Sequence, residues 1–254
     1  MAFITFFLLL VLAFLLGIVD ASMGMGYGTL LTPFLIVVGF DTHLVVPAVL
    51  VSQLAGDFLA AFFHHRFKNV NLSIGSSHFK VVVILATLSI LGSAIAVMIS
   101  GVLPTPFLNA YIGMLFVIAG GIVLITRNRK YGFSWIRLVF LGSLAAFNKG
   151  LSGGGYGPLV TSGQILAGMN ARSAIGIISL AEGFSCIVAL LLYGLVNKTI
   201  DWLFSVPLSI GVALSAPLAA FVVRKIESRN FKLIIGIFTL LLGLVTILIA
   251  LNSY

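Results

Sequence analysis

The sequence has few charged residues and one cysteine, and each shortage excludes a class of protein. Charged residues make up 8% of the 254 residues, whereas a soluble domain carries about 25%. A water-exposed surface cannot be built from so few charges, so the chain belongs in a lipid bilayer. Cys186 is the only cysteine, which excludes an intramolecular disulfide and a metal site of the multi-cysteine kind.

Long apolar runs fill most of the chain, which is 61% hydrophobic with a mean hydropathy of +1.24. Each long run has about the 20 residues that a membrane-spanning helix needs. The long runs are 3–19, 43–63, 79–102, 107–126, 173–195, 202–223 and 231–251, and the shorter ones are 29–40, 136–147 and 158–168. The first run lacks the basic start and cleavage site of a signal peptide, so we expect it to be retained.

Two glycine-rich segments, one in each half of the chain, repeat one another. Gly26-Tyr27-Gly28 matches Gly155-Tyr156-Gly157, and at the same offset the similarity continues through the following apolar runs. Further on, with a gap, 112–121 matches 235–244. We therefore predict two membrane repeats, 1–128 and 129–254, within one integral membrane domain. Internal duplication is common among secondary transporters.

The basic residues predict how the repeats are oriented. They concentrate in the connections 64–80, 127–137 and 223–232, and basic connections face the cytoplasm. The formal net charge of +8 is therefore explained by membrane orientation rather than by nucleic acid. All three connections can share one face only if 136–168 enters and leaves the membrane on the same side. This makes the repeats inverted, with a pseudo-two-fold axis in the membrane plane.

The segment "NKGLSGGGYGPLV" at 148–160 interrupts the apolar sequence and predicts a broken hairpin. Its flanking arms, 136–147 and 158–168, would each reach about 17 Å as helices, about half of a bilayer core roughly 30 Å thick. A re-entrant hairpin fits this length, although two full crossings remain an alternative, particularly in the first repeat. The predicted fold is an all-α polytopic membrane protein of two inverted repeats. Each repeat combines a glycine-tipped, broken or re-entrant hairpin with three transmembrane helices.

The repeated segments at 24–53 and 151–183 resemble the duplicated signature of the TauE/SafE family of sulfite exporters. The shared pattern is a glycine cluster, an apolar run containing Thr or Pro, a closing glycine and a following helix. The resemblance covers nearly the whole chain, but Met23 and Met25 replace a more glycine-rich run. It implies a multi-pass inner-membrane (cytoplasmic-membrane) transporter of sulfite or a related organosulfur or sulfonate anion. We expect no cofactor and no nucleic-acid partner. Export is the expected direction, although some members of the family are thought to import.

The glycine clusters suit an anion because they let successive backbone N–H groups converge. A half-helix that begins at Thr29 or Pro158 would add the positive end of its dipole. The alternative is that small residues merely let helices pack closely. The predicted substrate-binding residues are Ser22, Gly24, Gly26, Tyr27, Gly28, Thr29, Asn148, Lys149, Ser152, Gly153, Gly154, Gly155 and Tyr156.

Charged and amide residues within the apolar sequence are candidates for coupling or gating, because intramembrane charges are costly and usually functional. Asp20 and Lys149 occupy matched positions with opposite charge. Lys149 either attracts the anion or marks a helix boundary near the headgroups. Asp20 either takes part in proton coupling or gating, or ends a helix. The two could also pair if the hairpin tips meet.

Gln53 and Glu182 also match at the same offset, and Glu182 is predicted to lie deep in its helix. It is either a proton carrier or a hydrogen-bonded helix contact. Asp57 belongs to the same class. The matched Asp41 and Asn170 are predicted N-caps. His43, His64, His65 and His78 lie near helix ends and are predicted to be interfacial, with no metal site.

Three classes of function remain open on the sequence alone. The preferred one is an alternating-access transporter, with or without proton coupling. A passive anion channel could use the same glycine segments without a titrating Glu182. An intramembrane enzyme or assembly factor is less favoured, because the sequence offers neither a nucleophile with a base nor a separate partner-binding domain. We therefore expect no enzymatic activity.

Overall fold

The computed structural model describes residues 2–100, 105–126, 128, 132–152, 156–196, 200–226 and 228–251. These residues form ten α-helices and no strand. The first five helices are α1 (Ala2–Met23), α2 (Tyr27–Val37), α3 (Thr42–Arg66), α4 (Ser77–Ser100) and α5 (Thr105–Ile125). The last five are α6 (Trp135–Ser152), α7 (Tyr156–Leu166), α8 (Ala171–Val196), α9 (Trp202–Lys225) and α10 (Ser228–Leu251).

The protein is an all-helical, multi-pass membrane protein. Four segments are long and apolar enough to cross a bilayer: Ile4–Met23, Leu44–Arg66, Ala171–Leu191 and Trp202–Lys225. Shorter apolar helices occur at Ser77–Gly92, Gly113–Ile125, Trp135–Phe147 and Lys232–Leu248. Together they confirm the class of fold that the apolar runs predict.

The sequence repeat is visible in the helix boundaries. α2 and α7 both have 11 residues and start at the matched Tyr27 and Tyr156. α1 and α6 end at the matched Met23 and Ser152, and α3 and α8 start at matched positions. The division at residue 128 and the inverted relation of the halves stay predictions.

The two short helices also end in the same way. Gly39 and Gly168, which the repeat matches with each other, have φ angles of 104° and 98°, a region that favours glycine. Beyond them Phe40 N donates to Leu35 O at 3.1 Å, and Met169 N donates to Gln164 O at 3.0 Å. Both ends are therefore Schellman motifs.

Two details of the predicted hairpins are wrong. α6 has 18 residues and continues through Lys149 to Ser152, so the predicted arm 136–147 is too short. Asn and Gly each lower helix propensity by no more than about 1 kcal/mol, which does not stop a helix whose apolar positions are packed. α7 begins at Tyr156 rather than Pro158, because a proline is tolerated in the first turn, where its N–H would be unbonded. α2 likewise begins at Tyr27 rather than Thr29.

The chain folds into two compact units, each described here by itself. The first unit is Met1–Val82 with Ile175–Lys225, and the second is Val83–Ala174 with Ile226–Tyr254. Each unit therefore takes helices from both sequence halves.

In the first unit, α9 packs against both α1 and α3. A β-carbon added to Gly17 would meet the side chain of Ser215, and one added to Gly211 would meet Leu10 O. Small residues thus let α1 and α9 approach closely. The buried cluster beside them includes Ala13, Tyr27, Leu31, Val45 and Leu208.

In the second unit, α5 packs along α10 and α7 packs against α5, α6 and α10. Every residue of α7 from Tyr156 to Ile165 is buried. Phe116 of α5 and Ile235 of α10 have no exposed surface. The core of this unit therefore surrounds the short helix of the second hairpin.

Candidate functional site

The break between α1 and α2 is held by Asp20. Its side-chain Oδ1 accepts a hydrogen bond from the backbone N–H of Tyr27, the first residue of α2, at 3.1 Å. Its backbone oxygen accepts one from Gly24 N at 2.6 Å. Gly24 and Gly26 have φ angles of 70° and 118°, so glycine is favoured at both positions. The structure thus places Asp20 at the positive end of α2.

Tyr27 anchors the start of α2 on the middle of α3. Its side chain is 1% exposed, and its hydroxyl lies 2.8 Å from Ser52 Oγ. Ser52 Oγ itself donates to Val49 O at 2.9 Å. Because Ser52 has one hydroxyl proton, the Tyr27 hydroxyl is the donor in their shared bond. The sequence analysis missed Ser52, whose only signal was its place beside Gln53 in an apolar helix.

Gln53 lies against the first turn of α2. A β-carbon added to Gly28 would be 3.1 Å from Gln53 Oε1, so the close approach depends on glycine at position 28. The structure therefore brings together Asp20, Tyr27, Gly28 and Gln53 of the predicted residues. Thr29, the next residue of α2, is half-buried.

Ser22 is placed differently from its predicted role. Its hydroxyl donates to Ile18 O at 2.6 Å, within its own helix. A serine that bonds the preceding turn has used its one proton. Ser22 therefore does not offer a hydroxyl donor to a ligand in this arrangement.

At the break of the second hairpin, side chains are described only on the α7 side, from Tyr156 onward. Tyr156 is 2% exposed, and its hydroxyl donates to Leu85 O of α4 at 3.1 Å. Gly153, Gly154 and Gly155 lie outside the described residues, as do the side chains of Asn148, Lys149 and Ser152. The predicted roles of these six residues stay predictions.

Three polar residues of α7 that the sequence analysis did not select are buried. Thr161 and Ser162 have no exposed surface, and Gln164 is 1% exposed. Ser162 Oγ lies 3.4 Å from Thr239 Oγ1 of α10, and Gln164 Nε2 donates to Ala174 O at 3.2 Å. The signal that could have found them is the occurrence of three polar side chains within so short an apolar helix.

Asp57 and Glu182 are buried side chains on α3 and α8, with exposed fractions of 3% and 9%. A β-carbon added to Gly183 would lie 3.4 Å from Asp57 Cβ, and Glu182 is the residue before Gly183. Phe58 and Phe184, the next residues along, are 5.5 Å apart between ring centroids. The structure thus brings both predicted acids to the same part of the α3–α8 contact, within the first unit. Asp57 is one helical turn from Gln53, so the two share a face of α3.

The prediction that the histidines are interfacial is wrong for His64. This side chain has no exposed surface, and its Nε2 lies 2.8 Å from Ala21 O. Its Nδ1 lies 3.0 Å from Asn69 Nδ2, which also donates to Ala220 O at 2.8 Å. His64 is buried because the turn after α3 folds back, so that the ring bonds α1 directly, and Asn69 bonds both the ring and α9; all of these buried polar groups thus have partners.

The other residues predicted near helix ends are three histidines and the two N-caps. His65 is exposed, His78 is half-buried, and the side chain of His43 is outside the described set. Asn170 is confirmed as an N-cap, because its Oδ1 accepts from Arg172 N at 2.9 Å. Asp41 lies at the matched position, and its backbone oxygen accepts from Val45 N. Among the described residues, no group of three or more His, Cys, Asp or Glu side chains could hold a metal ion.

Comparison with known proteins agrees with this all-helical membrane architecture. Residues 9–246 match the family described as "Sulfite exporter TauE/SafE". The chain is also 25% identical over 244 residues to a Bacillus subtilis (strain 168) protein described as "Probable membrane transporter protein YtnM". That alignment covers 91% of this chain and 79% of the relative. The protein therefore belongs to the TauE/SafE sulfite exporter family of transmembrane transporters.

Proposed function

We propose that this protein is a secondary transporter that moves sulfite or a related small organosulfur or sulfonate anion across the cell inner membrane by alternating access. The family description supports the substrate class and the direction, which is export. The main support for alternating access is the packing of α5 against α10 within the second unit.

Matched glycines of α5 and α10 contact one another reciprocally. The sequence repeat matches Gly113 with Gly236 and Gly120 with Gly243. A β-carbon on Gly113 would lie 2.8 Å from Gly243 O, and one on Gly120 would lie 2.8 Å from Gly236 O. Exchanging each glycine for its match turns the first contact into the second.

This reciprocity is typical of a two-fold relation, in which residue i contacts j and the counterpart of j contacts the counterpart of i. The helices are also antiparallel. Gly113, early in α5, lies near Gly243, late in α10, whereas the later Gly120 lies near the earlier Gly236. A two-fold axis that relates two antiparallel membrane helices lies across them, in the plane of the membrane. This supports inverted repeats, the arrangement that lets one half rock against the other around a central site.

The matched pair α3 and α8 is also antiparallel within the first unit. Gly176 of α8 lies against His64, whereas Gly183, further along α8, lies against the earlier Asp57 and Phe58. The contact order is reversed here as it is between α5 and α10. A second pair of matched helices therefore supports the same inverted relation.

Hydrogen bonds that involve residues of the basic connections, within each unit, also support the inverted repeats. In the second unit, Arg137 Nη1 donates to Leu166 O at 2.8 Å, and Arg172 Nε donates to Ile226 O at 3.0 Å. Arg137 and Ile226, one from each of two basic connections, therefore contact residues that flank the turn between α7 and α8. In the first unit, Asn69 Nδ2 reaches Ala220 O near Arg224 and Lys225.

The transported anion would be held at the glycine segments, with Lys149 supplying positive charge. Asp57 on α3 and Glu182 on α8, both buried, are the proposed proton carriers if transport is coupled to protons. Gln53 and Asp20, which both contact the start of α2, would gate the first hairpin. We further propose that the protein catalyses no chemical reaction.

A flux assay in proteoliposomes tests the transport mechanism. An alternating-access carrier gives saturable sulfite flux and counterflow, in which external unlabelled anion accelerates exit of labelled anion. Unsaturable flux without counterflow would indicate the passive channel instead. Chemical turnover of sulfite without net movement would overturn the transporter proposal in favour of an enzyme.

Single-cysteine labelling in a Cys186-free background tests the topology. We expect 64–80, 127–137 and 223–232 to be cytoplasmic, with 195–201 and the C-terminus outside. Labelling of 127–137 and 223–232 from opposite faces would contradict the inverted repeats.

A further inference from the structure

A buried hydrogen-bonded bridge joins α1, α3 and α9 within the first unit. His64 Nε2 lies 2.8 Å from Ala21 O of α1, and His64 Nδ1 lies 3.0 Å from Asn69 Nδ2. Asn69 Nδ2 also donates to Ala220 O of α9 at 2.8 Å. His64 has no exposed surface and Asn69 is 7% exposed. These bonds therefore form in an interior of low dielectric, where a hydrogen bond is stronger than in water.

The partners determine where the protons of this bridge lie. A carbonyl oxygen only accepts, so the Asn69 atom that contacts Ala220 O is the amide nitrogen, and its other proton is donated to His64 Nδ1. His64 Nδ1 is therefore an acceptor, and Nε2 carries the ring proton and donates to Ala21 O. The bridge thus requires one particular tautomer of His64.

The bridge ends on the last turn of α1, next to the residue that contacts α2. Ala21 follows Asp20, whose Oδ1 accepts the N–H of Tyr27. The last four carbonyl oxygens of a helix have no amide partner inside it, and that of Ala21 is bonded to His64 instead. A shift of His64 would therefore move the turn that carries Asp20. Small side chains let the three helices approach closely beside the bridge: Ala21, Ala60, Ala216 and Ala219 form one buried cluster.

The second half of the chain does not repeat the residues of the bridge. At the offset that matches Tyr27 with Tyr156, His64 matches Tyr193 and Asn69 matches Lys198. Tyrosine has no ring nitrogen, and lysine has donors but no acceptor. The residue types that form the bridge therefore belong to the first repeat alone.

We propose that His64 and Asn69 are positioning residues for the gate of the first hairpin. They fix the last turn of α1 on α3 and α9, and so keep the Asp20 carboxylate at the start of α2. This inference rests on the proposed function, in which Asp20 takes part in gating. A hairpin that opens and closes needs a fixed element to move against, and the bridge fixes α1 in that role.

Two substitutions of His64 separate the bond to α1 from the rest of the bridge. The amide nitrogen of glutamine lies about as far from the backbone as Nε2 of histidine, and that of asparagine about as far as Nδ1. His64→Gln therefore keeps a donor for Ala21 O, whereas His64→Asn keeps only a partner for Asn69. His65→Gln is the control, because His65 is the next residue and is exposed. Sulfite counterflow in proteoliposomes is measured per folded transporter, together with the half-saturating concentration and thermal unfolding.

His64→Asn should slow exchange by about tenfold, which corresponds to about 1.4 kcal/mol and matches the cost of leaving a buried polar group unpaired. His64→Gln should stay within about threefold of the parent, and His65→Gln within about twofold. The half-saturating sulfite concentration should not change, because none of these residues is proposed to touch the anion. A merely structural role would lower the amount of folded protein in both His64 variants but leave the rate per folded transporter at the parent value.

A double variant tests whether His64 acts through Asp20. Asp20→Ala removes the acceptor of the Tyr27 N–H and should itself slow exchange. Adding His64→Asn to Asp20→Ala should slow exchange by no more than about twofold further, because the carboxylate that the bridge places is already gone. Independent effects would multiply instead.

Nitrogen NMR of protein labelled at its four histidines observes the bridge without transport. The signal that is missing from His64→Gln identifies His64, whose ring should be protonated at Nε2 only. Asn69→Ala should change the chemical shift of its Nδ1. If His64→Asn does not fold, Asn69→Ala, which removes the support of the ring, takes its place in the rate measurements.

Three outcomes would each overturn the inference: equal rates for His64→Gln and His64→Asn, multiplied losses in the double variant, or a His64 ring protonated at Nδ1. Absence of saturable sulfite exchange by the parent would overturn the proposed function instead. The two failures are therefore distinguishable, because the tautomer of His64 is measured separately from flux.

Discussion

The two glycine-tipped hairpins have the same plan but different surroundings. α2 and α7 are equally long and start and end at matched residues, yet α7 is buried from Tyr156 to Ile165. α2 exposes Phe34, and Val38 just beyond its end is exposed as well, with accessible fractions of 51% and 59%. In the first unit α2 packs on α1 and α3, whereas in the second unit α7 packs on three helices, α5, α6 and α10.

This difference teaches that a duplicated sequence does not produce a duplicated site. The polar side chains Thr161, Ser162 and Gln164 are enclosed in the second unit, where the effective dielectric is low and electrostatic interactions are strong. In the first hairpin, the N–H of Tyr27 is already bonded to Asp20. The two hairpins therefore have different polar surroundings. Changes at matched positions test this, because some should affect the two halves unequally and others should affect them alike.

The largest effect is expected from valine at a glycine of each tip. Gly154→Val should abolish anion binding by correctly inserted protein, because its side chain would block approach or forbid the backbone angles of the segment. Gly26→Val should instead reduce the amount of folded protein and so damage transport, since a φ angle of 118° excludes a β-branched residue. Ligand-dependent thermal stabilisation of each purified variant is the measurement. Unchanged binding in both variants would mean that the segments only pack helices together.

The next effect is expected from alanine at the two matched charges. Lys149→Ala should weaken anion affinity by about 10- to 150-fold, since a hydrogen bond to a charged group contributes about 1.5–3 kcal/mol. Asp20→Ala should leave affinity nearly unchanged but lower the free energy of unfolding by about 0.5–2 kcal/mol, the contribution of a lost helix cap. Titration and thermal unfolding of both variants separate the two quantities. Equal weakening of anion binding in Asp20→Ala and Lys149→Ala would contradict the different roles expected for the two residues.

A smaller effect is expected where the halves should behave alike, at the α5–α10 contact. Gly120→Ala should lower the free energy of unfolding by about 1–3 kcal/mol through overpacking, because the new β-carbon would lie 2.7 Å from Leu240 N. The matched Gly243→Ala, whose β-carbon would lie 2.7 Å from Val117 N, should cost the same.

Gly121 supplies the control for that measurement. No atom lies within 4 Å of the β-carbon that Gly121→Ala would add, so this variant should be as stable as the parent or more stable by up to about 1 kcal/mol. Unfolding in mixed detergent micelles compares all three variants. A large difference between Gly120→Ala and Gly243→Ala would argue against the two-fold relation.

The smallest effect on the amount of folded, substrate-binding protein is expected at Gln53 and Glu182. If Glu182 carries a proton, Glu182→Gln should impair pH-dependent net transport more than substrate exchange, because exchange requires no net proton movement. Gln53→Asn is the comparison at the matched position: it removes no titratable group, so it should leave the pH dependence of net transport as in the parent even if it changes the rate. Net flux and exchange are measured in proteoliposomes at several pH values. Equal pH dependence in Glu182→Gln and the parent would remove Glu182 from that role.

The sequence by itself determined the membrane class, the all-helical fold and the repeat. These follow from local properties: the length of apolar runs relative to a bilayer, and the glycines around Tyr27 that recur around Tyr156. The family could be identified from the same segments. The end of α6 was misplaced because Asn148, Lys149 and Gly150 weaken a helix without ending it, so composition alone does not locate its last turn.

Only the tertiary structure decided which residues meet. His64 is buried because α1 and the turn at Asn69 supply it with partners, and no pattern near residue 64 shows that. The contact of Asp20 with Tyr27 N–H depends on how the chain turns at Gly24 and Gly26, and the contact of Gln53 with Gly28 depends on how α2 lies on α3. Helix formation depends on neighbours in sequence, whereas the satisfaction of a buried polar group depends on neighbours in space.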